Sequence, residues 1–188
     1  CNAVQIIEQP DPKAMFHKNY AYFSSTSKHM QAHFKAFADA VTAAYITGGA
    51  NPFVVELGSN DGIMLRNFAD AGVRHLGIEP SANVAEVALA DGVETISAFF
   101  GEKLAVEIKD LHGPAQAILA ANVMSHIPDL GDVARGVRAL LASDGVFIFE
   151  DPYLGDMIKK TSFDQIYDEH VYIFSAMAIR NAFSAHGL

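Results

Sequence analysis

The chain has 188 residues, enough for one domain or one domain with appendages. Hydrophobic residues make up 51% and charged residues 19%, which supports a large core and excludes extended disorder. Its 22 acidic and 13 basic residues give a net charge of −9, which argues against binding a nucleic-acid backbone, and its single cysteine excludes an internal disulfide. No apolar run approaches the roughly 20 residues that span a bilayer, so no membrane partner is expected. The first ten residues lack a basic region followed by an apolar stretch, and the expected setting is cytoplasmic.

The opening residues suit a short strand, ended by Pro10 and Pro12. A stretch rich in aromatic and hydroxyl side chains, Asn19 to Ser27, follows. Met30, Phe34, Phe37, Val41 and Tyr45 then recur at steps of three and four, which predicts one helical face. Gly48, Gly49 and Pro52 break that helix. Beyond it, short apolar runs alternate with helical patterns. Strands are expected at Phe53–Leu57, Leu76–Ile78, Glu94–Ile96, Ala117–Ala121 and Val146–Glu150. Helices are expected at Ile63–Asp70, Asn83–Ala90, Glu102–Leu111 and Val133–Leu141. This alternation predicts an α/β fold with a parallel sheet and helices on both faces. The strands read as continuous apolar runs, as burial on both sides requires. A last helix is expected near Ala176–His186, with Gly187 as its cap.

Five segments carry chemistry. The run Val54-Val-Glu-Leu-Gly-Ser-Asn-Asp-Gly62 joins the first sheet strand to its helix. Ligands in such sheets bind at the carboxyl ends of the strands, and glycine lets the backbone approach them. The loop has Gly58, Asn60 and Gly62 but no G-x-G-x-x-G, and Glu56 stands two residues before Gly58. An acidic residue there suits a ligand with cationic groups and no phosphate, such as S-adenosylmethionine. The alternative is an ordinary strand-to-helix turn. In Leu76-Gly-Ile-Glu-Pro80, Glu79 ends a strand where a carboxylate can accept hydrogen bonds from ribose hydroxyls, and Pro80 follows it. Ala98 and Phe99 follow the third strand, where an apolar slot for adenine belongs; Phe100 is expected in the core.

The fourth segment, Ala120-Ala-Asn-Val-Met-Ser-His-Ile-Pro-Asp-Leu130, places Asn122 and Val123 toward the methionine part of such a cofactor. His126 lies where a substrate would meet the methyl group; a structural histidine is the equal alternative. In the fifth, Ile166-Tyr-Asp-Glu-His170, a tyrosine, a carboxylate and a histidine stand together. Histidine can act as a general base near neutral pH, a carboxylate can orient it, and a tyrosine can donate to a developing oxyanion. A solvated turn over buried aromatics is the alternative. No metal-ligand motif is present, so no metal site is expected.

These residues resemble the S-adenosylmethionine-dependent C-methyltransferases of nucleotide-linked deoxysugars. The likeness is greatest to those acting at C-3′ of a dTDP-keto-deoxysugar in tetronitrose-type antibiotic pathways. The matching stretches are Tyr20-Ala-Tyr-Phe-Ser-Ser25, Glu56-Leu-Gly-Ser-Asn-Asp-Gly62, Gly77-Ile-Glu-Pro80, residues 121–130, Phe149-Glu-Asp-Pro-Tyr-Leu154 and Ile166–His170. The resemblance implies a Rossmann-like class I methyltransferase fold, with S-adenosylhomocysteine as product. It implies three portions: an extension and helix over 1–50, the cofactor domain over 51–155, and an active-site segment with a linker helix over 156–188. It also implies a zinc module before residue 1, with Cys1 a candidate for its last cysteine, and a further domain after residue 188, so that the chain is expected to be a central portion. By the same likeness His170 is the base that removes the proton beside the sugar ketone, supported by Glu169. Tyr167 and His126 handle the enolate or a proton, and Tyr20, Tyr22 or both close over the site. The expected partner is the dTDP-sugar, and nothing demands more than a monomer. An O- or N-methyltransferase of the same fold and a non-catalytic cofactor-binding domain stay open. The absent G-x-G-x-x-G argues against a nicotinamide oxidoreductase.

Overall fold

The computed structural model describes residues 2–46 and 51–188. The helix break expected at Gly48-Gly49, and Cys1, lie outside the described residues. The chain opens with strand β1 (Ala3–Gln5) and the short helix α1 (Pro12–Met15), which Asp11 caps by accepting from Lys13 N–H. Pro12 therefore starts a helix rather than merely ending a strand. Its fixed φ and missing N–H suit the first helical position. Helix α2 (Lys28–Val41) begins at Ser27, whose side chain accepts from Met30 N–H. It continues into a single π-helical stretch, Thr42–Ile46. The wider turn rotates the predicted apolar face, so Ile46 is buried there while Tyr45 is exposed.

The remaining elements are β2 (Phe53–Leu57), α3 (Leu65–Asp70), β3 (Arg74–Ile78), α4 (Ala82–Ala90), β4 (Thr95–Ile96), α5 (Glu102–His112), β5 (Ala115–Ala121), α6 (Leu130–Leu140), β6 (Leu141–Glu150), α7 (Leu154–Lys160), β7 (Tyr172–Phe174) and α8 (Ala176–Ser184). Asp129 caps α6 by accepting from Asp132 N–H, which starts the helix three residues before its expected first turn. Gly187, at φ +78°, ends the last helix. Its N–H reaches Ser184 O, and Leu188 N–H reaches Phe183 O, so the predicted glycine cap is a Schellman motif.

Strands β4-β3-β2-β5-β6 form one parallel sheet in that order. Side chains of β2 alternate between two cores. Phe53, Val55 and Leu57 pack with α5, α6 and α8, while Val54 packs with α2, α3 and α4. The central strands β2 and β5 are covered on both faces, as their apolar runs predict. The edge strands β4 and β6 are only half-buried over most of their length. A separate two-stranded antiparallel pair sets Ala3 opposite Phe174 and Gln5 opposite Tyr172, tying the start of the chain to the strand after His170. No described helix is long and apolar enough to cross a membrane.

Glu56 shares the Val54 face of β2. Its side chain is buried, and Oε2 has no hydrogen-bond partner. Burial, reinforced by the neighbouring carboxyls of Glu79 and Asp61, pushes its pKa well above the ordinary carboxylate value. The folded state therefore binds a proton that the unfolded chain releases above pH about 4.3, and stability falls as pH rises through that window. Glu56→Gln, which never ionises, is expected to flatten that decline. Urea unfolding at pH 5 and pH 8 should show the wild type losing more stability than the variant; equal losses would show that Glu56 takes up no proton on folding.

Candidate active site

In the sheet, β3 lies on one side of β2 and β5 on the other, so the connections after these strands diverge and leave a crevice at their carboxyl ends. A cavity of about 530 Å³ occupies it. Gly58 and Asn60 after β2, Glu79 and Pro80 after β3, Ala98 and Phe99 after β4, and Asn122, Val123 and His126 after β5 all line it. Phe100, expected in the core, lines it too and also packs against the core. The roof comes from the N-terminal segment and α2, with Phe16, Tyr20, Tyr22, Ser24 and Phe34. The far wall is Gln165, Tyr167, Glu169 and His170.

Two predicted residues are not in the wall. Glu56 and Gly62 lie beneath the loop, both buried, and Gly62 backs onto Val93. The residue two before Gly58 belongs to the strand, and its side chain points into the helical layer. Any effect of Glu56 on a ligand passes through the loop above it. At Gly58 φ is +60°, and a Cβ would run into the Val123 side chain, so the close approach demanded of this loop requires glycine. Asn60 and Asn122 also take left-handed backbone, at φ +49° and +56°, which asparagine tolerates.

Glu79 organises the glycine-loop side of the cavity. Its Oε2 accepts Asn60 N–H at 3.0 Å, and its Oε1 accepts Ser81 N–H at 2.7 Å. Each oxygen keeps a second lone pair. Burial raises its pKa, and the two amides pull it back. Ile78, Pro80, Ala98 and Phe99 give the apolar surroundings that a purine needs. Among the described residues no lysine or arginine lines the cavity. An acidic, glycine-turned, phosphate-averse wall fits S-adenosylmethionine, whose charged groups near the sulfur are cationic, better than a dinucleotide.

The roof is bonded to those same loops. Asn83 on α4 makes a reciprocal pair with Tyr20, accepting its N–H at 3.1 Å and donating to its carbonyl at 2.8 Å. Asn60 accepts Ser24 N–H at 2.9 Å and donates to the Tyr22 carbonyl at 3.2 Å. Asp61 Oδ2 accepts both the N–H and the hydroxyl of Ser25, at 2.9 and 2.6 Å. The segment Tyr20–Ser25 is thus strapped over the cavity by residues of the glycine loop and α4.

On the opposite side, His170 is buried. Its Nδ1 is 2.7 Å from the Gln165 carbonyl, which can only accept, so Nδ1 carries a proton. In the neutral ring Nε2 is then an acceptor, and the Tyr167 hydroxyl lies 3.1 Å from it. Glu169 Oε2 accepts the Tyr20 hydroxyl at 3.3 Å, so the group that orients His170 is the Gln165 carbonyl rather than Glu169. Burial and the adjacent Glu169 raise the Tyr20 and Tyr167 phenols above their ordinary value, keeping both as donors. His126 packs against His170, ring centroids 5.1 Å apart, and stacks on Phe16 at 5.6 Å. Burial, with His170 beside it, lowers its pKa to about 4, so it is neutral at pH 7, and its buried Nε2 has no partner. Sequence reasoning missed Gln165, Asn83, Asp61 and Phe16. Gln165 acts through a backbone carbonyl, which leaves no sequence signal.

Comparison with known proteins agrees with this architecture. C-methyltransferase NovU of Streptomyces niveus is 39% identical over 179 residues, covering 95% of this chain and 42% of that protein. The chain therefore spans less than half the length of this curated relative. A SAM-dependent methyltransferase from Archaeoglobus fulgidus superposes with a TM-score of 0.67 at 12% identity, over 84% of this chain and 68% of that one. The YcgJ protein from Bacillus subtilis does so at 0.62 and 18% identity, over 82% of this chain and 68% of its own. These likenesses establish the class I S-adenosylmethionine-dependent methyltransferase fold. Residues 28–188 match the methyltransferase domain family, and the chain belongs to that family.

Proposed function

We propose that this chain is the cofactor-binding and proton-abstracting portion of an S-adenosylmethionine-dependent C-methyltransferase. Its substrate is a nucleotide-linked keto-deoxysugar, methylated at C-3′ beside the ketone of a dTDP-4-keto sugar. Residues 51–155 are assigned to the cofactor, the described part of the N-terminal extension, from Phe16 to Phe34, to the roof, and 156–188 to the sugar side. The observation that carries the reading is His170. It is a buried imidazole with its Nδ1 proton committed to the Gln165 carbonyl, its Nε2 lone pair at the cavity wall, and a phenol beside it. The likeness to a relative named as a C-methyltransferase supports carbon as the acceptor.

Glu79 would hold the ribose hydroxyls, Ala98 and Phe99 the adenine, and Gly58, Asn60, Asn122 and Val123 the methionine end. Bound there, S-adenosylmethionine supplies an electrophilic methyl group. His170 Nε2 accepts the proton from the carbon next to the ketone. The Tyr167 hydroxyl, released from Nε2 as that atom is protonated, donates to the developing enolate oxygen. Neutral His126, packed against His170, shapes the sugar side beside the base. Glu169 holds Tyr20 over the reacting atoms, and with Tyr22 it excludes water. A hydroxyl or amine acceptor would need the base but not the phenol. With no described lysine or arginine in the wall, the nucleotide diphosphate is assigned to protein outside this cavity.

Calorimetric titration with S-adenosylhomocysteine, and with NADH as control, tests the cofactor class. Binding of the first and not the second is expected; the reverse would sink the reading. Methyl transfer to a dTDP-4-keto-deoxysugar, read by mass spectrometry, tests the acceptor in the full-length protein. His170→Asn is expected to keep S-adenosylhomocysteine affinity and to slow methylation about 10²–10⁴-fold, the contribution of a general base. Unchanged turnover would remove His170 from the chemistry. Glu79→Ala removes charge-assisted bonds of about 1.5–3 kcal/mol, so S-adenosylhomocysteine affinity should fall by about tenfold or more with cooperative unfolding intact. Wild-type affinity in that variant would contradict the ribose assignment.

A further inference from the structure

The run Glu150-Asp-Pro-Tyr153 after β6 has no part in the chemistry above. Its carboxylate, Asp151, turns back onto the single 3₁₀ turn Met124–His126. Oδ2 accepts Met124 N–H at 3.2 Å, and Oδ1 accepts Ser125 N–H at 3.1 Å. These are the first amides of the turn, which have no partner within it. Just before them, Asn122 N–H reaches Glu150 O at 2.7 Å. Two residues after Asp151, Tyr153 forms a parallel bridge with Phe174, on the strand that follows His170. Residues 150–153 therefore grip the His126 turn at one end and the His170 strand at the other. No hydrogen bond reaches His126 Nε2, and the ring contacts are with Phe16 and His170. Packing alone holds the ring, and the side chain that bonds the turn carrying it is Asp151.

We propose that Asp151 is a positioning residue that sets the His126–His170 spacing by clamping the turn Met124–His126. Its kinetic consequence rests on the methyl-transfer reading, but its structural consequence does not. The titratable groups around His126 are His170, Tyr167 and Glu169 on the far wall, Asp151 after β6, and Tyr20 beyond Phe16 in the roof. Freed from the clamp, the turn moves outward and His126 gains water.

The test is Asp151→Asn in the full-length protein, whose amide can accept from only one of the two N–H groups. The lost carboxylate charge alone would lower an imidazole midpoint, so a His126 midpoint that instead rises from its lowered position toward 6.5, followed by NMR of the ring resonances against pH, reports water entering at the turn. S-adenosylhomocysteine affinity should be unchanged, and kcat should fall by about 10²-fold, as a misplaced reacting group does. An unchanged His126 titration overturns the proposal whatever the kinetics, and so does a shifted titration with wild-type kcat. Asp151→Glu keeps the charge but overreaches by one methylene; it is read by the same titration if the Asn variant does not fold. If the unmodified protein transfers no methyl group, the functional reading fails and the titration alone decides on the clamp.

Discussion

Strand order governs this molecule. A parallel sheet needs a crossover between every pair of neighbouring strands, and the right-handed sense of that crossover puts each helix on a set face. Starting from β2, the chain builds toward one edge through β3 and β4, then returns to the other side of β2 for β5 and β6. The reversal covers both faces of the central strands and gathers the connecting loops at one edge. The groups assigned to cofactor and substrate hang from that edge or close over it.

The two halves of the site are mechanically joined. Asn60, Asp61 and Asn83 all stand on the cofactor side, yet their side chains bond the Tyr20–Ser25 strap that roofs the substrate side. Tyr20 then reaches across to Glu169.

Burial shifts protonation in the cavity and in the layer behind it. The carboxyls of Glu56, Glu79 and Asp151 are all raised by desolvation, and the last two are drawn back by backbone amides. His126 is pushed the other way and stays neutral. The same burial keeps the Tyr20 and Tyr167 phenols protonated, as donors.

The sequence by itself determined the alternation of strands and helices, because apolar periodicity is a local property of the chain. It also determined which loops meet, because in a parallel sheet the residue after each strand must lie at one edge. The place of Asn60, Glu79, Ala98 and Asn122 in the cavity wall was legible for that reason. The helix that continues as a π turn was not, since one extra residue per turn leaves no mark in composition and carries Tyr45 off its face. Glu56 was misjudged because its side chain follows the pleat of β2 into the helical layer. Only the tertiary structure decided what holds the site together: the Gln165 carbonyl behind His170, Asn83 paired with Tyr20 across 63 positions, and Asp151 reaching back 27 positions to Met124. Each of these bonds joins a side chain to a backbone atom, and two of the three do so across a long stretch of sequence. Backbone atoms are the same in every residue, so no reading of side-chain types along the chain can find them.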